Sequence, residues 1–249
     1  MSQSGLVSSR VVVERNYAIL PPEGIPASTL PGWKDTEARI LAAPPMGAQF
    51  AQYLLDVKSS GGSDVTPGAG IESFFYCIEG RASITSDGLA HTLDPGGFAY
   101  LAPGSSYSIG AEKTSRLLWL KKRYEPIEGV KPPRPVFGNE NDVKGEPFMD
   151  VAELLLKKLL PDEMAFDLAM NIFTFPPGYS LPITETHVME HGLYMLEGQG
   201  VYYLGDRWME VKRGDFIWMG PYVPQSFYAT SSFDARYIYY KNVNRDVAL

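Results

Sequence analysis

Two stretches of sequence decide the fold: residues 82–109, ASITSDGLAHTLDPGGFAYLAPGSSYSI, and residues 200–227, GVYYLGDRWMEVKRGDFIWMGPYVPQSF. Each runs as an apolar strand, a polar turn, a second strand, a glycine, an apolar run and a proline. Each also follows a Glu-Gly pair that we interpret as a turn. The two copies lie 118 positions apart, which relates the following pairs: Gly80 to Gly198, Gly96 to Gly214, and Pro103 to Pro221.

Both copies alternate apolar and polar residues over short runs bounded by Gly, Pro, Asp and Asn, which is typical of antiparallel strands. Each copy ends in an aromatic strand with a basic residue, LLWLKK up to Lys121 and RYIYYK up to Lys241, and here the separation is 120. The sequence therefore predicts an all-β protein of two tandem jelly-roll barrels.

The domain boundaries follow from the composition between the copies. The Pro- and Gly-rich stretch from Pro126 to Pro147 is predicted to lack regular structure. We place a first domain at residues 1–130, a linker at 131–147 and a second domain at 148–249. Just after the linker, VAELLLKKLL (Val151–Leu160) is predicted to be a helix that ends before Pro161.

Composition excludes several classes of protein. The 249 residues are 45% hydrophobic and 20% charged, which is ordinary globular usage, and the net charge of −7 disfavours a nucleic-acid partner. No apolar run approaches the roughly 20 residues that span a membrane. The first twenty residues do not resemble a signal peptide, which favours a cytoplasmic location. The single cysteine, Cys77, excludes an intrachain disulfide and a cysteine metal site, and we interpret it as a core residue.

Two of the three histidines lie in one short segment, Glu185-Thr186-His187-Val188-Met189-Glu190-His191. If the segment is extended, Glu185, His187 and His191 share one face, whereas Glu190 faces away. One carboxylate and two imidazoles on one face are a metal-ligand arrangement. The letters H-x-x-E-H also match a zinc-protease motif, but that motif requires a helix, and the flanking Pro and Gly residues favour a strand.

The spacing G-(x)6-E-x-H-(x)3-H-(x)6-G, residues 178–198, resembles the first motif of the cupins. Glu185 stands where that motif usually has its first histidine, and His191 stands where it usually has its glutamate. A second cupin-like motif runs from Gly214 to Gln225, where Gln225 replaces the usual last histidine. The segments ETHVMEHGLYMLEGQGVYYL, KRGDFIWMGPYVPQSF and YIYYKNVNRDVAL resemble the ureidoglycine aminohydrolase family of manganese bicupins, and the likeness extends over nearly the whole chain.

This resemblance implies Mn²⁺ held by Glu185, His187, His191 and Gln225, and substrate contacts from Glu185, Tyr202, Tyr237 and Lys241. Carboxylate and amide oxygens suit Mn²⁺, although Fe²⁺ or Zn²⁺ could also bind. A metal ion that accepts six ligands would keep two coordination positions for a chelating substrate if the protein supplied four. Tyr237, Tyr239 and Lys241 share one parity, so Tyr237 and Lys241 can project into the cavity that would hold the metal.

In the first copy, the positions that correspond to the four ligands are Pro67, Ala69, Ser73 and Tyr107, which make no metal set. We interpret His91 as a structural residue. The first domain is therefore predicted to be metal-free and structural, covering the second barrel and supplying assembly surface. A homo-oligomer is expected because aromatic strands need cover.

The resemblance implies hydrolysis of (S)-ureidoglycine, a small linear ureido compound, to (S)-ureidoglycolate and ammonia in allantoin and purine degradation. Glu185, Tyr237 and Lys241 are the candidate catalytic residues, with Lys241 suited to binding a carboxylate or moving a proton. Two alternatives remain: a metal-dependent cupin dioxygenase, and a bicupin that binds a metabolite without catalysis.

Overall fold

The structure, a computed structural model, describes residues 10–247 and is built almost entirely from β strands, which confirms the predicted all-β fold. Its short 3₁₀ helices are Pro22–Gly24, Pro44–Met46 and Glu140–Asp142. The strands in the first half are β1 (Val12–Val13), β2 (Tyr17–Leu20), β3 (Trp33–Ala42), β4 (Phe50–Ser63), β5 (Ile71–Ser86), β6 (Leu89–Leu93), β7 (Gly97–Leu101), β8 (Tyr107–Arg123) and β9 (Val136–Asn139).

The strands in the second half are β10 (Glu146–Phe148), β11 (Val151–Lys158), β12 (Leu168–Phe175), β13 (His191–Glu197), β14 (Gln199–Leu204), β15 (Arg207–Lys212), β16 (Phe216–Met219), β17 (Gln225–Ala229) and β18 (Ala235–Asn242). Within residues 10–247, no helix is long and apolar enough to cross a bilayer.

The first barrel is a sheet in the order β3-β4-β8-β5-β7-β9, with β6 paired to β5. Its long strands β5 and β8 bend where the register shifts around Gly80. Gly80 has φ +89°, and a Cβ there would lie 2.2 Å from the carbonyl oxygen of Thr114. The first Glu-Gly pair is therefore a bulge inside one continuous strand, whereas Gly198, with φ +73°, separates β13 from β14.

The second barrel combines a large sheet, β1-β2-β16-β13-β18-β12-β11-β10, with a smaller one, β15-β14-β17. Strand β18 lies between β13 and β12, so it runs through the middle of the large sheet. Its residues Tyr237 and Tyr239 point into the barrel core, whereas Ile238 and Tyr240 face the first barrel. Because side chains alternate along a strand, those of β18 are divided between the core of the second barrel and the contact between the barrels.

Two segments lie in places that differ from the predicted domain boundaries. Strand β2, near the start of the chain, pairs with β16 in the sheet of the second barrel. Strand β9, inside the predicted linker, pairs with β7 of the first barrel. The prediction that residues 126–147 lack regular structure is therefore wrong for β9 and for β10, which begins at Glu146. β9 contains no proline, and an edge strand needs only one partner.

The predicted helix Val151–Leu160 is also wrong, because these residues form strand β11 up to Lys158. β11 pairs with β10 on one side and with β12 on the other. Leu154 and Leu156 pack on the core of the second barrel, as residues of equal parity on a strand do. The leucine-rich composition favours a helix locally, but pairing with the sheet outweighs that propensity.

Between the barrels lies a third apolar cluster, separate from the two barrel cores. Phe50 of the first barrel and Tyr240 of the second meet there with ring centroids 4.5 Å apart. Phe74, Tyr100, Trp218 and other fully buried residues extend it across the contact. This cluster therefore joins the two barrels, and burial of its side chains stabilises their association.

Candidate active site

The predicted site residues meet in a cavity of about 110 Å³ inside the second barrel. Apolar side chains from Phe148, Leu156, Phe173, Leu181 and Leu193 form part of its wall. The polar wall is made by the predicted ligands and substrate contacts: Glu185, His187, His191, Gln225, Tyr202, Tyr237 and Lys241. A cavity of this size suits a small ligand with several polar groups.

The segment with the two histidines, residues 185–191, is a loop and not the extended strand that we expected. We call it the histidine loop. Its first residue, Glu185, forms an isolated β-bridge with Gln225 through N–H···O bonds of 2.8 and 2.9 Å. The amide N–H of Tyr222 then donates to the carbonyl of His187 at 2.7 Å. His191 begins strand β13, so the ligands converge through a curved backbone anchored at both ends.

The Nε2 atoms of His187 and His191 lie 3.1 Å apart, and the two ring planes are inclined at 73°. Each Nδ1 lies against a backbone carbonyl, that of Met189 at 3.2 Å and that of Tyr240 at 3.1 Å. A carbonyl only accepts, so each Nδ1 donates, and in the neutral ring Nε2 carries the lone pair. Burial, reinforced by His187, lowers the pKa of His191 to about 3 and keeps its ring neutral.

This arrangement fits a divalent cation. Two lone pairs 3.1 Å apart repel each other unless a proton or a metal ion lies between them. Ligands that bind one ion at right angles, with bonds of about 2.1 Å, would be about 3.0 Å apart. Imidazole nitrogens held by N–H···O=C bonds on their other side are the usual arrangement of histidine ligands.

The side chain of Gln225 lies beside the two histidines. Its amide nitrogen lies 3.1 Å from Nε2 of His187, and its oxygen accepts from the hydroxyl of Tyr202 at 3.2 Å. A half-turn of the amide brings the oxygen toward His187. Within residues 10–247, no three His, Cys, Asp or Glu side chains form a metal cluster by themselves. Glu185, His187 and His191 therefore do not come together as a three-residue cluster, although all three line the cavity.

Strand β18, which pairs with β13 beside His191, supplies the adjoining wall of the cavity. Tyr237, Tyr239 and Lys241 all line it, as their shared parity predicts. Burial raises the pKa of both tyrosines, and Glu185 adds to the effect. The neighbouring phenols raise the pKa of Tyr237 further, whereas the hydrogen bond from Asn171 opposes the rise for Tyr239, and both hydroxyls stay protonated and able to donate. Burial lowers the pKa of Lys241, while the carboxylate of Glu185 opposes that shift.

Three residues that shape the site, Asn171, Tyr222 and Glu190, were not predicted from the sequence. Asn171 donates from Nδ2 to the hydroxyl of Tyr239 at 3.2 Å, which leaves the Tyr239 proton free to donate elsewhere. Tyr222, with φ +61°, holds the backbone of His187. The expected outward direction of Glu190 is correct, but its buried contacts were not expected. Tyr239, by contrast, was indicated by its parity with Lys241.

A second cavity of about 750 Å³ lies outside the first, and Lys241 lines both. Met189 and Glu190 of the histidine loop, Glu125 of the first half and Arg245 near the end of the chain also line the outer cavity. Arg245 donates to the carbonyl of Glu125 at 2.6 Å, so the last residues bridge the two halves here. Lys241 and Leu156 therefore form part of the wall of both cavities.

In the first barrel, the positions that correspond to His191 and Gln225 are joined to each other. The Ser73 and Tyr107 hydroxyls are 2.9 Å apart, and Trp119 Nε1 donates to Ser73 at 3.3 Å. His91 stacks on Phe137 with ring centroids 3.6 Å apart. Cys77 is fully buried, which confirms that it is a core residue.

Comparison with known proteins gives relatives over nearly the full length. Residues 171–240 match the family described as Cupin domain. The (S)-ureidoglycine aminohydrolase of Escherichia coli (strain K12) is 38% identical over 249 residues, covering 98% of this chain and 95% of the relative. The (S)-ureidoglycine aminohydrolase of Arabidopsis thaliana is 34% identical over 244 residues, covering 96% of this chain and 79% of the relative.

Solved structures show the same arrangement of two barrels. Protein Ylba from E. coli superposes with a TM-score of 0.87 at 37% identity, covering 100% of both chains. A putative glyoxylate-induced protein from Pseudomonas aeruginosa superposes with a TM-score of 0.91 at 33% identity, covering 99% of this chain and 95% of that one. Oxalate decarboxylase from Bacillus subtilis shares the fold at 11% identity, with a TM-score of 0.69 over 92% of this chain and 78% of that one. At this identity to curated relatives over nearly its whole length, the chain belongs to the (S)-ureidoglycine aminohydrolase family, a family of cupin hydrolases.

Proposed function

We propose that this protein hydrolyses (S)-ureidoglycine to (S)-ureidoglycolate and ammonia in the breakdown of allantoin, with Mn²⁺ as its metal ion. The relatives that carry this activity in their names match nearly the whole chain. The observation that carries the metal part of the proposal is the pair of histidine Nε2 atoms that lie 3.1 Å apart. Each ring is oriented by its own backbone carbonyl, so the pair is ready to bind a cation.

Glu185, His187, His191 and Gln225 would hold the ion. Two imidazoles, one carboxylate and one amide oxygen are ligands that suit Mn²⁺, since no soft sulfur is present among them. When bound, the ion would act as a Lewis acid and fix the orientation of the chelating substrate.

The remaining polar residues of the cavity would bind the substrate and move protons. The Lys241 ammonium, at the junction of the two cavities, would bind the substrate carboxylate or transfer a proton. The buried hydroxyls of Tyr202 and Tyr237 stay protonated and would donate hydrogen bonds to the substrate. Glu185, Tyr237 and Lys241 are the groups that could accept or deliver the proton when ammonia leaves the substrate carbon and water adds to it.

In this proposal, the first barrel binds no metal ion and supports the second. The homo-oligomer and the cytoplasmic location also stay predictions. Size-exclusion chromatography with light scattering measures the former directly.

The test is ammonia release from freshly prepared ureidoglycine by EDTA-treated protein, with and without added Mn²⁺. We expect release well above the spontaneous rate only when the metal is restored, and loss of that release in His191→Ala. Lys241→Met should lose most of the turnover while still binding Mn²⁺. If no metal accelerates the reaction, the proposal is wrong, and oxygen uptake by the Fe²⁺-loaded protein becomes the next measurement.

A further inference from the structure

The histidine loop rests on the first barrel at the start of strand β4. Both chain neighbours of His191 take part in this contact. Glu190 precedes His191 and is 2% exposed, and Gly192 follows it. Residues 49–52 of the first barrel contact both neighbours.

The Glu190 carboxylate is held by N–H groups. The backbone N–H of Gln49 donates to its two oxygens at 3.0 and 3.2 Å, and Trp218 Nε1 donates at 3.4 Å. Within residues 10–247, no lysine or arginine forms an ion pair with Glu190. A buried carboxylate requires such donors, so Glu190 fixes the loop to a defined point on the first barrel.

The other neighbour of His191 fits the first barrel only because it has no side chain. A Cβ on Gly192 would lie 2.5 Å from Cζ of Phe50 and 2.6 Å from Oε1 of Gln52. The amide N–H of Glu190 also donates to Oδ1 of Asn242 at 2.8 Å, which joins the loop to β18. The backbone on both sides of His191 is therefore fixed between the two barrels.

We propose that the first barrel positions His191 for metal binding, and that Glu190 is the positioning residue through which it acts. The proposal rests on the metal site of the proposed function. In this proposal the first barrel does more than cover the second barrel, because the backbone N–H of Gln49 fixes the loop that carries both imidazoles. Removal of residues that orient metal ligands typically weakens metal affinity by about 10- to 100-fold.

The experiment compares Glu190→Ala and Glu190→Gln with Glu79→Ala in the full-length protein. Glu79 is a matched control because its carboxylate also bridges the two halves, to Arg213 at 2.8 Å, but it is half-exposed and away from the histidine loop. Mn²⁺ affinity is measured from the electron paramagnetic resonance signal of the free ion. Hydrogen exchange of residues 186–192 is measured in the EDTA-treated protein by mass spectrometry, and urea unfolding reports stability.

We expect Glu190→Ala to weaken Mn²⁺ binding by about 10- to 100-fold and to speed exchange in the histidine loop. Glu190→Gln keeps an oxygen that accepts from Gln49, so it should recover most of the affinity. Glu79→Ala should change neither quantity. If Glu190→Ala does not fold, Gly192→Ala disturbs the same contact from the other side and should weaken Mn²⁺ binding.

The proposal is overturned if Glu190→Ala loses stability in urea while its Mn²⁺ affinity and loop exchange stay as in the wild type. It is also overturned if Glu190→Gln is as impaired as Glu190→Ala, because the acceptor oxygen would then be irrelevant. If the wild-type protein binds no Mn²⁺, the proposed function fails in its metal part. The exchange measurement on the metal-free protein still tests whether Glu190 fixes the loop.

Discussion

A buried ion pair joins the two barrels, and its loss gives a quantitative prediction. Lys122 on β8 bonds to the carboxylate of Asp167, just before β12, and both side chains are almost fully buried. Glu72 lies nearby, with one oxygen 3.9 Å from Nζ of Lys122 and the other accepting from the Tyr100 hydroxyl at 2.7 Å. Burial, together with Asp167, raises the pKa of Glu72 to about 9, so Glu72 is neutral at pH 7.

Lys122→Met removes the cation and leaves Asp167 buried without it. The cheapest response is for Asp167 to take up a proton. For an aspartate with an ordinary pKa of about 3.9, that costs about 4 kcal/mol at pH 7 and about 1.5 kcal/mol at pH 5. Burial is the largest cause of the raised pKa of Glu72, and Lys122 lowers that pKa, so Glu72 stays neutral in the variant as well. The free energy of unfolding should therefore fall by about 4 kcal/mol at pH 7 and by clearly less at pH 5.

The assay is urea unfolding of EDTA-treated protein at pH 7 and pH 5, followed by circular dichroism. The matched control is Lys113→Met on the same strand, where the side chain is exposed, and there we expect little change at either pH. An equal loss for Lys122→Met at both pH values would refute the reasoning, because lost packing depends little on pH whereas protonation of Asp167 does.

Three further outcomes are expected. The folded protein raises the pKa of Glu72 from 4.5 to about 9, so the contribution of Glu72 to wild-type stability falls as the pH rises between these values. Glu72→Gln should therefore be more stable than the wild type in urea at pH 8 and equally stable at pH 4. Gly80→Ala should lower the free energy of unfolding by about 1–3 kcal/mol more than Gly88→Ala. Both glycines have positive φ, but a Cβ at Gly80 would lie 2.2 Å from the carbonyl oxygen of Thr114, whereas Gly88 has open space around it. Equal losses of stability in urea would contradict this. Mn²⁺ at 100 times its Kd should stabilise the wild type by about 2.7 kcal/mol and leave the melting temperature of His191→Ala unchanged, as measured by calorimetry.

The polar residues that line the inner cavity could be predicted from the sequence, but the geometry of the cavity could not. A chain with three histidines that places two of them in one short segment identifies the centre of the cavity directly. The shared parity of Tyr237, Tyr239 and Lys241 followed from the strand period alone. The curvature of the histidine loop could not be predicted in this way, because it depends on the β-bridge between Glu185 and Gln225, which are 40 positions apart. Nor could the contacts of Glu190, whose partner Gln49 lies in the other barrel.

Local properties could be predicted from the sequence alone: the alternation that makes strands, the glycines that turn or bulge them, and the repeat that doubles the barrel. The strand edges that the short segments join depend instead on contacts between distant parts of the chain. The same leucine-rich stretch that favours a helix became β11 because β10 and β12 offered pairing on both sides. Likewise, β2 pairs with the second barrel although it lies in the predicted first domain, and β9 pairs with the first barrel although it lies in the predicted linker. The physical reason is that a strand is stabilised by hydrogen bonds and packing to distant partners, and a single segment carries no record of which partner it will meet.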